Sequence, residues 1–177
     1  MLAPTVRRTY APRGETPIYR CCFPRGKISA ISAITVSPKR KRIGLYFSLL
    51  PDDDNVHAKD TIAFLRLLHR HIPRPLTVVW DRSNTHDRAR EVQKYLEKHP
   101  EIVTERFPGY APDLNPDEGV WTYTKFGRLA NFAPRGTTEL RGRVGSELRR
   151  LRKRPDLLLS FIRHTGLDVG VEADAAH

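Results

Sequence analysis

The stretch RFPGYAPDLNPDEGVW, residues 106–121, decides how the chain is read. Pro108, Gly109 and Pro112 forbid regular structure and make a rigid turn. Asn115 followed by Pro116 is a helix start. Asn is a favoured N-cap, and proline is tolerated at the first helical position, where no backbone donor is needed. Glu118 then falls at the third helical position, where a carboxylate either completes a capping-box-like arrangement or faces a site at the helix start. Trp121, about one turn on, is spaced to pack that helix onto a sheet. Alone, the segment predicts a helix start and no chemistry.

Working outward, Leu76–Trp80 (LTVVW) is a short continuous apolar run. Such runs belong to strands buried on both faces. It delivers Asp81 at its carboxyl end. An acid there is either compensated by a cation or caps a turn, since Arg82, Ser83 and Asn84 follow. His86–His99 reads as a helix with Ala89, Val92 and Leu96 on one face, and Ile102–Phe107 as another strand. Upstream, Lys27–Val36 and Ile43–Leu50 alternate as a hairpin around a basic turn, Ser37–Arg42, and Arg25–Gly26 turns into it. Asp52–Asp54 is an acidic loop. Ala58–His71 is a helix carrying Ile62, Leu65 and Leu68, ended by Pro73 and Pro75. A last helix, Thr138–Arg154, places Leu140, Val144, Leu148 and Leu151 on one stripe and arginines elsewhere. Residues 1–17 are an irregular lead-in, and the tail from Asp168 frays.

Hairpin, helix, strand, helix, strand, helix implies an α/β fold with a mixed sheet flanked by helices. In such sheets, sites form at the carboxyl ends of strands and adjoining helix starts. Asp81 and Glu118 both lie in that region. A strand-ending acid and a helix-opening acid would make half of a two-metal phosphoryl-transfer site, and a third acid is then expected beside them.

With 177 residues the chain suits one domain. Its formal charge is +11 and its sequence pI about 10.1, a balance that favours polyanions through counterion release. A charged fraction of 29% and negative mean hydropathy exclude a membrane-embedded chain. No signal peptide opens the sequence, so a cytoplasmic, nucleoid-associated protein is expected, with no membrane partner. Cys21 and Cys22 are adjacent and would point to opposite faces of a strand. They make a poor disulfide and at best half a metal site, and read as packing residues.

VVWDRSNTH (residues 78–86) together with residues 106–121 resembles the second and third acidic motifs of DDE transposases of the mariner-like superfamily, in their bacterial insertion-sequence branch. The second motif is a strand ending in Asp with a His soon after, here Asp81 and His86. The third runs from Pro108 to Trp121. Residues 82–117, 36 in all, separate the two acids, which fits the family. LANFAP (residues 129–134) and RPDLLLSFIRHTGL (residues 154–167) resemble the family's ending.

The resemblance implies an RNase H-like fold over residues 1–167, with 168–177 a disordered tail. It implies Asp81 and Glu118 as catalytic, metal-binding acids for Mg²⁺ or Mn²⁺, with a two-ion site in the intact enzyme. His86 and Asn115 would shape the pocket, and Lys125 could reach a phosphate; for His86 a helix-start role without function stands equally. Asp113 reads as a turn residue. The expected substrate is transposon-end DNA, with a possible homodimer and no small-molecule substrate. Lys125, Arg141, Arg149, Arg150, Arg152 and Lys153 are candidate DNA contacts.

The family's first acid ends the first strand of its sheet, just before a Pro/Arg/Gly-rich stretch. Here that stretch is Leu2–Pro17, and it begins at Met1. The first strand and its acid are therefore expected to be missing from these residues, and strand cleavage by this chain alone to be weak or absent. A non-catalytic DNA-binding remnant or transposition inhibitor using the arginine-rich helix is the alternative. A structural module whose arginines form a solvated face is a third.

Overall fold

In the computed structural model, residues 5–8, 10–15, 18, 26–37, 39, 42–82, 86–109, 111–167 and 169–170 are described. Both cysteines, Arg25, most of the hairpin turn and nearly all of the tail lie outside them.

Strands β1 (Ile28–Ser37) and β2 (Arg42–Asp52) form an antiparallel hairpin, with Ile34 opposite Leu45 and Thr35 opposite Gly44. A Cβ at Gly44 would stand 2.9 Å from the Thr35 hydroxyl, so the cross-strand spacing there needs glycine. Asp53, in the left-handed region at φ 59°, turns the chain out of β2, and its carboxylate accepts from the Lys27 amide at 2.8 Å. Helix α1 (Ala58–His71) opens with Asp60 accepting from the His57 amide at 2.9 Å. It buries Thr61, Phe64, Leu65 and Leu68, the face set by its helical spacing.

β3 (Leu76–Trp80) and β4 (Ile102–Arg106) pair in parallel, Leu76 beside Ile102 and Trp80 beside Arg106. Helix α2 (Arg90–Glu97) connects them and buries Val92 and Tyr95. It starts four residues later than the periodicity predicts, because the preceding turn is occupied otherwise. His86 bonds back to Asp81, and the backbone carbonyl of Asp87 accepts from Gln93. Burial on β3 also differs from the reading as a strand covered on both faces. Its residues alternate, and Val79 is 49% exposed.

After a short 3₁₀ turn at Pro112–Leu114, α3 (Pro116–Thr122) begins and passes into a π-helical turn, Tyr123–Arg128, closed by the Leu129 amide on the Thr124 carbonyl. Helices α4 (Thr137–Arg152) and α5 (Pro155–His164) follow. The sequence reading ran α4 to Arg154 and did not separate α5. The break falls at Lys153–Arg154, where Pro155 takes the first position of the new helix. The lead-in is pinned at Asn131, whose side chain accepts from the Arg7 amide and donates to the Arg7 carbonyl.

Among the described residues, four strands make two separate two-stranded sheets, β1-β2 and β3-β4, each with its own core. Leu45, Val120, Val144, Leu148, Leu151 and Leu158 close the first, from β2, α3, α4 and α5. Leu65, Val92, Tyr95 and Ile102 close the second, from α1, α2 and β4. Each fully buried aliphatic side chain contributes about 1.5–3 kcal/mol of transfer free energy. Among the described residues, no helix is long and apolar enough to cross a membrane.

Candidate functional site

Asp81 leaves the carboxyl end of β3, where the ladder stops and the side chain emerges 63% exposed. The parallel pair β3-β4 aims both strand ends the same way, so Phe107 and the turn after it come to the same side. His86 returns to Asp81. Its Nε2 lies 2.7 Å from Asp81 Oδ1 and 3.0 Å from the Asp81 carbonyl, and its ring stacks on Trp80 with centroids 5.0 Å apart. A protonated Nε2 therefore donates to the carboxylate and fixes its orientation, leaving Oδ2 as the second oxygen of the group.

Asn115 caps α3 as its sequence predicts. Its side-chain oxygen accepts from the Asp117 amide at 3.1 Å, with Pro116 at the first helical position. Glu118 is consequently third in the helix and exposed, near the positive end of a short dipole. Asp81, His86, Asn115 and Glu118 all line one cavity of about 740 Å³. The structure thus brings together four of the site residues read from the sequence. Lys125 lies further along, exposed, with Nζ 5.9 Å from the Trp121 ring centroid.

Several residues beside the site were not singled out from the sequence. Asp117 turns inward from α3 and bonds the sheet: Ser32 Oγ of β1 donates to Oδ2 at 2.5 Å, and Trp121 Nε1 donates to it at 3.1 Å. Oδ1 is buried without a hydrogen-bond partner. Burial pushes this carboxyl up to about 6, against the two hydrogen bonds that lower it and with the Glu118 charge adding to the rise. The Asp117–Trp121 spacing of four was a legible signal. Asp87 is buried and accepts from Arg106 Nε at 2.6 Å, tying the loop after Asp81 to the end of β4.

The arginine-rich helix is more committed than its composition implies. Arg152 Nε donates to the Leu45 carbonyl at 2.9 Å and its guanidinium stacks on Phe47 at 5.0 Å. Arg141 donates to the carbonyls of Leu49 and Leu50. Arg150, with Arg128 and Arg143, serves the buried Glu147 at 2.9, 2.9 and 3.4 Å. Burial pushes the Glu147 carboxyl up, but the three guanidiniums, Arg128 foremost, outweigh it and hold the group below the usual range. Arg149 and Lys153 are exposed.

The donor set near Asp81 and Glu118 consists of hard carboxylate oxygens, which suits a divalent ion that keeps several waters. Among the described residues, no group of three His, Cys, Asp or Glu is placed to hold a metal. Two acids fit part of such a site.

Solved structures with the same fold include the Mos1 mariner paired-end complex with Mn (TM-score 0.55, 19% identity, covering 93% of this chain and 52% of that one). Another is the Mos1 transposase paired-end complex with the left transposon end (TM-score 0.56, 18% identity, covering 92% and 51%). The chain thus spans about half the length of the transposase chains it matches. No curated protein sequence matches it. Residues 1–138 match the family model described as DDE superfamily endonuclease, and the chain belongs to that family.

Proposed function

We propose that this chain is part of a transposase catalytic domain acting on the phosphodiesters of transposon-end DNA, with Asp81 and Glu118 as its metal-binding acids. One observation carries the reading: in a DDE-family chain, the acid ending β3 and the acid opening α3 line the same cavity. A bound Mg²⁺ or Mn²⁺ would polarise the scissile phosphate and lower the pKa of a bound water. The protein's own contribution is positional. His86 orients the Asp81 carboxylate, Asn115 sets the start of α3 and hence the Glu118 side chain, and Arg106 with Asp87 holds the intervening loop. Lys125, Arg149 and Lys153 are exposed cations offered to phosphate, whereas Arg141, Arg150 and Arg152, the last two exposed as well, are bonded within the fold and act first as its struts. An intact enzyme would work as a homodimer in the bacterial nucleoid.

Two measurements test this. Mn²⁺ is titrated into the protein while paramagnetic broadening is read, for wild type, Asp81→Ala and Glu118→Gln. Broadening centred on both acids and lost in either variant supports the reading; broadening unchanged by both substitutions overturns it. A metal-dependent nicking assay on supercoiled plasmid is expected to give weak or no cleavage with the chain alone, since two acids are a thin donor set. The alternative, a non-catalytic DNA-binding remnant, gains if duplex binding is salt-dependent yet indifferent to Asp81→Ala and to Mg²⁺.

A further inference from the structure

Three arginines meet at one buried acid. The Glu147 side chain is 2% exposed, whereas those of Arg128, Arg143 and Arg150 are 42–61% exposed. Glu147 Oε2 accepts from Arg128 Nε at 2.9 Å. Oε1 accepts from an Nη of Arg150 at 2.9 Å and lies 3.4 Å from Arg143 Nε. The carboxylate thus lies beneath, and the guanidiniums open to solvent above it.

A single carboxylate balances only one of the three positive charges. Among the described residues, no second acid is bonded to any of these arginines, so the cluster keeps an excess of positive charge. Gathering like charges at one point opposes folding, and an anion that joins them offsets this. The Nε contacts of Arg128 and Arg143 leave both Nη groups of each guanidinium to a second partner. Such a fork matches the oxygens of a phosphate. The orientation of the forks is also set. Arg143 lies over the Phe132 ring, 5.7 Å from its centroid, which restrains its plane. Arg128 closes the π-helical turn Tyr123–Arg128, where the Leu129 amide bonds the Thr124 carbonyl at 2.9 Å. π-helical turns are rare and concentrate at functional sites.

We infer that Arg128, Arg143 and Arg150, held in place by Glu147, form a binding site for one backbone phosphate of DNA. The assignment of that phosphate to DNA rests on the reading of the chain as part of a transposase domain, and the anion site rests on the cluster's geometry. Arg128 stands ten residues beyond Glu118, roughly 15 Å along the helix at about 1.5 Å per residue. The phosphate held here is therefore a flanking one and not the phosphate at the acids. Glu147 is a positioning residue, and the three arginines touch the ligand.

The probe is a short mixed-sequence DNA duplex added to the whole chain, with binding read by fluorescence anisotropy across a salt series. Arg143→Gln is the main variant, because Arg143 makes the longest of the three contacts and its loss disturbs the fold least. Arg74→Gln is the control, removing an equal charge from an exposed arginine just before β3. Arg143→Gln should weaken binding several-fold and flatten the slope of log K against log salt by about 0.9, the equivalent of one phosphate contact. Arg143→Lys should fall between, and Arg74→Gln should match wild type. In wild type, the side-chain Nε–H NMR signals of Arg128 and Arg143 should shift as duplex is added. Equal slopes for Arg143→Gln and Arg74→Gln overturn the site, because net charge alone then explains the loss. Signals unmoved at saturating duplex overturn it too, with no variant involved, and leave DNA as the substrate. Absence of duplex binding at low salt overturns the site and the DNA reading together. Loss of the Mn²⁺ response at Asp81 and Glu118 overturns the metal acids alone.

Discussion

Glu147→Gln should lower stability by about 2–3 kcal/mol at neutral pH. The carboxylate is almost fully buried on α4 and receives Arg128 and Arg150 at 2.9 Å and Arg143 at 3.4 Å. Hydrogen bonds to a charged group are worth roughly 1.5–3 kcal/mol each. Two are well made, giving about 3–6 kcal/mol before correction. The three arginine side chains are 42–61% exposed, so they rehydrate when the carboxylate is lost, and water screens what they contribute. Glutamine also keeps one acceptor while presenting an amide to a guanidinium. Those offsets bring the loss to roughly half. Urea denaturation followed by circular dichroism reads it as a midpoint about 1 M lower at unchanged slope, taking a slope of about 2–3 kcal/mol per M. The pH dependence has a fixed sign. Glu147 titrates below its ordinary value in the folded protein, so its stabilisation is present above about pH 4.5 and is lost as pH falls through the folded value. The gap between wild type and variant must therefore close in acid. A neutral-pH difference below about 0.5 kcal/mol, or a gap that persists unchanged into acid, would falsify the reading of α4 as an internally bonded helix.

Asp117→Asn should change the slope of stability with pH. The folded carboxyl, raised by burial to about 6, favours its neutral form, so its stabilisation is complete below about pH 4 and lost as pH rises through 6. At roughly 1.36 kcal/mol per pH unit, the variant should gain on the order of 3 kcal/mol relative to wild type across that window; parallel curves would sink the idea. Gly119→Ala places a Cβ 2.8 Å from Phe161 Cγ and 2.9 Å from its Cβ, and should cost about 1–3 kcal/mol by separating α3 from α5. The check is thermal denaturation, with Phe161→Leu in the same chain expected to recover part of the loss. Asp87→Asn weakens the bond from Arg106, and amide exchange at the start of α2 should quicken several-fold while β2 is unaffected.

The sequence alone determined those elements whose causes are local. Asn115-Pro116 fixed the start of α3 and with it the place of Glu118, because capping and the missing proline donor act within one turn. The apolar run Leu76–Trp80 ended where β3 ends, and Ala58–His71 matched α1 residue for residue. His86 was recognised near Asp81, though the bond between them appears only when the loop closes. Tertiary structure decided what depends on segments far apart. Ser32 and Asp117 are 85 residues apart, and no pattern in either segment announces that one serine hydroxyl will hold the other's carboxylate. The arginines of α4 looked like a solvated, phosphate-seeking face because composition records charge and not where each guanidinium ends. Packing α4 against β2 turned Arg141 and Arg152 into struts for β2 carbonyls, while Arg128, from outside the helix, joined the local partners Arg143 and Arg150 at Glu147. The division of the sheet was also tertiary: strand propensity resides in each segment, but pairing requires two edges to meet, and β1 and β3 meet a shared cavity instead.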